Sequence, residues 1–168
     1  GVMLAQAART YVARFGVVPG SRAVIATSHD NAYRTAFALA DAGVQVQAIL
    51  DTRPASDRPI ITEARARFQV VFGAQVLRVT GGAAGLRRVT AQTGGQVLTF
   101  DADLLAVSGG FSPVAHLHMQ AGGALNWNET TAAFQAGEAR QNQSSAGSAA
   151  SLDDLSEVLG DGWAKGAA

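Results

Sequence analysis

The chain has no cysteine, which excludes disulfide scaffolds, iron–sulfur clusters, thiolate zinc sites and thiol nucleophiles. It also lacks an excess of either charge. Thirteen lysines and arginines balance thirteen aspartates and glutamates, and no run of basic residues forms a stripe, so neither nucleic acid nor an anionic membrane surface is an expected partner. No apolar run approaches the roughly 20 residues that a spanning helix needs, and the first residues lack the basic, apolar, small order of an export signal; a cytoplasmic location is expected. There is no G-x-S-x-G elbow and no P-loop, and Ser108 in "VSGG" has no base signposted for it.

What is present is the composition of an ordinary globular protein, 168 residues with 48% hydrophobic, enough for one substantial core. The chain opens on Gly1 within a helical pattern and closes on the plain tail "GWAKGAA", and it is expected to be an excised piece of something longer.

Periodicity supplies the elements. Val2, Leu4, Ala5, Ala8, Tyr11, Val12 and Phe15 recur at three- and four-residue steps, predicting one amphipathic helix from Val2 to Phe15 that Gly16 ends. "AVIAT" reads as a buried parallel strand, Ser28 or Asp30 as the cap of a helix over Asn31–Ala42, and "VQVQAIL" as the next strand. A second helix is expected over roughly residues 60–71, then three strands, "AQVLRVT", "LRRVTAQT" and "QVLTF", separated by "GGAAG" and "GG", the punctuation of an antiparallel meander. The glycines at 81–85 therefore read as a turn, because they precede a strand where a phosphate loop would precede a helix. "ADLLAVSGG" is a further core strand, and a short helix is expected between Pro113 and Gly123. Patterning fades from Asn126 to Gly147. Ser151 and Asp154 resemble a capping box before a last helix with Leu152, Leu155, Val158 and Leu159 on one face, ending at Gly160.

The stretch Val24–Asp51 has the outline of a dinucleotide-binding unit without its glycines. The fingerprint G-x-G-x-x-G falls on Thr27, His29 and Ala32. Ala32 suits close helix packing, but His29 sets an imidazole where backbone meets pyrophosphate, and Thr27 adds a branched side chain at the tight turn. Asp51 stands where an acid would bind a ribose hydroxyl, yet with the glycines gone it reads as a polar strand end. His29 reads as a surface or capping histidine. His116 and His118, two apart, point to different sides of a helix and have no neighbouring acid, so no metal site is expected. Asp153 and Asp154 suffice as charges at a helix start.

Four ordered segments, "GVMLAQAARTY", "YRTAFALADAGVQVQAILDTRP", "DADLLAVSGGFSPVAHLHMQAGG" and "LNWNETTAAFQAGE", resemble the central part of the α subunit of heterotetrameric sarcosine oxidase, and more distantly the nucleotide domain of pyridine nucleotide-disulfide reductases. The resemblance implies an α/β, Rossmann-like three-layer nucleotide-domain fold with a parallel sheet and an antiparallel β-meander, flanked by partial elements of a second FAD/NAD-type domain. It implies residues 1–20 as an N-terminal helix and linker, 21–110 as a degenerate Rossmann-like domain, and 111–168 as the return segment and C-terminal helix of the parent domain.

The family resemblance further implies oxidative demethylation of sarcosine to glycine, yielding hydrogen peroxide and formaldehyde or methylene-tetrahydrofolate, with other subunits as partners. NAD would be held by the parent subunit, and FAD and FMN by the parent complex. This chain alone is expected to be inactive and to bind no cofactor tightly, serving as scaffold and as part of a NAD pocket. Ser108, Gly109 and Gly110 match the "VSGG" at which the family's chain returns toward the dinucleotide, and Gly147 and Ser148 match its later small-residue segment at a helix start, where N–H groups can meet a phosphate. His116 follows the family pattern; His118 departs from it. Two other readings stand beside this one: an active NAD(H)-binding domain of a disulfide-reductase-like flavoprotein, and a non-catalytic subunit-interaction module.

Overall fold

The computed structural model describes residues 1–129, 133–152 and 154–167. Contacts divide the chain into two units, Gly1–Gly110 and Phe111–Ala168.

In the first unit, β1 (Val2–Leu4) leads into α1 (Ala5–Phe15), then β2 (Arg22–Thr27), α2 (Asn31–Asp41), β3 (Gln45–Asp51), α3 (Pro59–Arg67) and β4 (Val70–Phe72). The meander β5 (Gln75–Gly82), β6 (Gly85–Thr93) and β7 (Gln96–Asp101) follows, and β8 (Leu104–Ser108) returns. The parallel sheet runs β1-β8-β2-β3-β4, and the meander forms a separate antiparallel sheet β5-β6-β7.

The central strands are buried on both faces because side chains alternate across them. Ala23, Ile25, Leu104 and Ala106 join Ala8, Tyr33, Ala36, Leu39 and Ile61 on the helical side. Val24 and Leu105 turn the other way and pack with Val89 and Ala91 of the meander. On β3 a register shift opposite Ala23 and Val24 skips Gln47, so Val46 faces the helices and Ala48 the meander. Helices, parallel sheet and meander make three layers, the fold expected from the sequence.

Three expectations need correction. Residues 2–15 are not one helix: Val2–Leu4 pair with Leu105–Val107 as an edge strand, because a backbone ladder beside β8 outweighs a periodicity that three residues satisfy either way. The third helix stops at Arg67 and Val70–Phe72 pair with Ile49–Asp51. The last helix, α5 (Leu155–Gly166), runs through Gly160 and Gly162, and Asp154 caps it through the Ser156 and Glu157 amides. Asp153 lies outside the described residues.

The second unit holds α4 (His116–Gln120), an antiparallel pair β9 (Leu125–Asn128) and β10 (Ala133–Ala136), a 3₁₀ turn over Gly147–Ala150, and α5. The pair was not legible from the faded pattern. Trp127 lies directly opposite Phe134, their rings edge to face at 5.1 Å between centroids.

Candidate functional site

Strand order reverses between β8 and β2, with β3 and β4 reached to one side and β8 and β1 to the other. In open α/β sheets a ligand lies in the crevice at the carboxyl ends of the strands beside such a reversal. Here those ends are Thr27 and Ser108, which are partners in register. The crevice belongs to the turn Thr27–Asp30, the turn in which glycines are missing.

That turn is held by its own side chains. The Thr27 hydroxyl donates to the His29 carbonyl at 2.8 Å and accepts from the His29 amide at 3.1 Å. His29 Nδ1 accepts from the Asn31 amide at 3.3 Å, which leaves the proton on Nε2. Nε2 then donates to the Ser108 hydroxyl at 2.6 Å, across the mouth of the crevice. The Ser28 amide donates to the Ser108 carbonyl at 3.1 Å.

The acid at the end of β3 is sealed in. Asp51 is fully buried beneath α2. The Tyr33 hydroxyl donates to its Oδ2 at 2.7 Å, and Arg53 supplies its amide and Nε to Oδ1 at 2.9 and 3.0 Å and Nη2 to Oδ2 at 2.7 Å. A bidentate guanidinium is among the strongest partners a carboxylate can find. Burial, then the Asp51 bond, drives the Tyr33 hydroxyl well above its ordinary range. Arg53 Nη1 also lies 2.8 Å from Asp30 Oδ1, and Arg58 reaches Asp30 Oδ2 at 2.7 Å. Asp30 is the first residue before α2, but its carboxylate serves these arginines and makes no cap hydrogen bond. Burial opposes its charge, yet the Arg58 and Arg53 bonds outweigh that and hold its carboxyl below the ordinary value.

The residues around the crevice do not fit a dinucleotide. A pyrophosphate needs bare backbone at the turn, whereas the imidazole of His29 is fastened over it. A ribose needs free carboxylate oxygens, and both oxygens of Asp51 are already taken. His29 was expected as a surface or capping histidine and does accept from the Asn31 amide at the start of α2, and Asp51 was expected as a polar strand end; neither Tyr33 nor Arg53 was singled out. The D-x-R spacing of Asp51 and Arg53 was the available signal.

The other site residues fall in two places. Ser108, Gly109 and Gly110 end the first unit. Ser108 is engaged as described; Gly109 is exposed, and a Cβ built there meets nothing within 4 Å; Gly110 has φ +99°. Gly147 and Ser148 begin the 3₁₀ turn of the second unit, where the Gly147 amide donates to Asp161 Oδ2 at 2.8 Å, so that N–H is already matched to an anion. In α4, His118 is buried and donates through Nε2 to the Ala124 carbonyl at 3.0 Å; its ring lies so close to Gly123 that a Cβ there would stand 2.2 Å from Nε2. Among the described residues no three His, Cys, Asp or Glu are grouped to hold a metal ion, and no helix is long and apolar enough to cross a membrane.

Fold and crevice together define a Rossmann-like three-layer domain whose crevice is filled by its own side chains. Solved structures bear out the build. Thioredoxin reductase from T. acidophilum superposes with a TM-score of 0.63 over 96% of this chain and 53% of its own, at 14% identity, and that of Lactococcus lactis with 0.62 over 96% and 54%, also at 14%. No protein-family model matches the chain. In sequence it is homologous, over nearly its whole length, to a segment of sarcosine oxidase subunit alpha. The Rhizobium meliloti subunit is 38% identical over 98% of this chain and 16% of its own length, and the subunit of Corynebacterium sp. strain P-1 is 37% identical over 100% and 18%. The chain thus spans about a sixth of the relatives it matches.

Proposed function

We propose that this chain serves as a structural segment of a sarcosine oxidase α subunit, in which a former nucleotide domain has become scaffold. The observation that carries the reading is the internal filling of the crevice: Arg53 and Tyr33 on the oxygens of Asp51, and His29 on Ser108. A domain that binds a dinucleotide keeps those groups available; this one spends them on itself. Homology to the sarcosine oxidase subunits supports the family.

In this reading the whole assembly removes the methyl group of sarcosine, forming glycine, hydrogen peroxide and formaldehyde or methylene-tetrahydrofolate. It is a cytoplasmic heterotetramer in which FAD and FMN do the oxidation and NAD binds a different part of the same subunit. Residues 21–110 are the degenerate domain, with 1–20 leading in and 111–168 returning to the parent domain. Ser108, Gly109 and Gly110 carry the chain back toward that NAD; the side chain of Ser108 is fixed by His29, and the bare backbone of Gly109 is left for close approach. Gly147 and Ser148 were the second expected contact, but with the Gly147 N–H held by Asp161 they have no part in this reading. No residue of this chain touches the reacting atoms.

The test is co-purification with the remaining subunits together with an amine-oxidation assay. The chain alone is expected to show no turnover of sarcosine, and to be retained by the other parts of the oxidase. Turnover by the isolated chain, or failure to associate with any of those parts, overturns the reading.

A further inference from the structure

Successive residues of a strand face opposite sides, so Arg87 and Arg88 of β6 should diverge. Instead both line one cleft of about 530 Å³, with Arg22, Thr80, Gly81 and Asp101. The cause is a bulge. Thr80 pairs with Arg88 and Gly81 with Leu86, which leaves Arg87 without an opposite number on β5. An extra residue of this kind bends the strand and re-aims its side chain.

The surrounding backbone is fixed. The Arg87 carbonyl accepts from the Ala102 amide at 3.1 Å and the Arg22 carbonyl from the Asp103 amide at 3.0 Å, so arginines of two different sheets are tied to neighbouring residues of one connector. Gly81 permits the tight hairpin beside them, since a Cβ there would stand 2.3 Å from the Gly85 carbonyl oxygen. The cleft lies where β2 begins, at the end of the parallel sheet away from the crevice that follows Thr27.

Charge in the cleft is unbalanced. Arg88 lies 3.4 Å from Asp101, both of them exposed. Asp103 is committed to the Ser21 hydroxyl and to the Ser21 and Arg22 amides. Arg87 makes no ion pair among the described residues. Arg22 has the Asp103 charge beside it and Arg88 has Asp101, so three guanidiniums face two carboxylates and Arg87 is the cation left over; planar guanidinium forks match the oxygens of phosphate. No aromatic or large apolar side chain lines the cleft, so it offers no platform for a nucleobase.

We propose that this cleft binds the phosphate group of a small phosphorylated ligand, free or esterified, independently of the function proposed above. The test is calorimetric titration of the whole chain with inorganic pyrophosphate and, separately, with glycerol phosphate, at constant ionic strength. Saturable binding of at least one is expected, and the tighter of the two identifies the free or the esterified source. Arg87→Ala and Arg22→Ala should each weaken binding roughly tenfold with the melting temperature unchanged, since both side chains are exposed. Arg87→Lys should restore only part of the loss, because an ammonium has no fork. Asp101→Asn should tighten binding by removing an opposing charge. Absence of saturable binding of either anion up to about 20 mM, or titration curves of Arg87→Ala and Arg22→Ala that overlay the wild type, overturns the proposal.

Discussion

His29 donates through Nε2 to the hydroxyl of Ser108 at 2.6 Å, and by that bond the turn after β2 is fastened to the last residue of β8. In a functioning dinucleotide domain the loops that leave two such neighbouring strands diverge and open a crevice for the ligand. His29→Leu removes the donor and leaves a half-buried hydroxyl and an empty Nδ1 place beside the Asn31 amide. A loss of about 1–2 kcal/mol is expected, with faster amide exchange in the turn 27–30 as the second readout. His29→Gln, which keeps a donor of similar reach, should recover part of both.

Arg53→Met should be the most damaging single change at the crevice. It leaves Asp51, fully buried, with Tyr33 as its remaining side-chain partner. Removing one member of a buried pair strands the other charge, at a cost of about 3 kcal/mol or more. Chemical denaturation of the two proteins measures it, and a loss below about 1 kcal/mol would show that the pair behaves as a surface ion pair.

Tyr33 sets an alkaline limit. Its hydroxyl ionises at 10.0 in the unfolded chain and well above that when folded, because burial and then the bond to Asp51 oppose the charge. Its contribution is therefore complete below pH 10 and declines as pH rises beyond it, where only the unfolded chain releases the proton. Denaturation midpoints measured from about pH 8 to 11 should fall more steeply for the wild type than for Tyr33→Phe, which is less stable at neutral pH by about 1–2 kcal/mol.

Asp103 and Asp30 act at the other end of the scale. Burial works against each charge, but Asp103 is held below its ordinary 3.8 by bonds from Ser21 and the Arg22 amide, and Asp30 by Arg58 and Arg53. Their contribution is present above pH 3.8 and is lost as pH falls through the depressed folded values. Asp103→Asn should flatten the acid side of the stability profile, and an unchanged profile would contradict this assignment.

The sequence disclosed the layers of the first unit because its signals agreed with one another: a continuous apolar run for β2, alternation for β3, glycines spacing the meander. It failed where few residues carry the pattern. Val2–Leu4 and Val70–Phe72 are three-residue edge strands whose neighbours β8 and β3 decide their state, and no local periodicity separates three apolar residues in a strand from three at a helix end. The β9–β10 pair is hidden by its shortness: Leu125–Asn128 alternates apolar and polar over four residues only, and Ala133–Ala136 does not alternate. At the crevice the loss of glycines was plain, but what replaced the ligand was not. The Arg53–Asp51 contact needs only two residues of separation, yet its partners Tyr33 and Asp30 lie 18 and more positions away, and such pairings are set by the crossover helix.

The central claim, that the crevice is filled from within, is tested most directly by titrating the Arg22→Ala/Arg87→Ala double variant, in which the β6 cleft is disabled, with NADH to about 5 mM, following heat and melting temperature together. The internal bonds of His29 and Asp51 predict no saturable heat and no rise in melting temperature. Saturable binding that disappears in Asp51→Ala would show that the acid still serves a ribose, and would contradict the account.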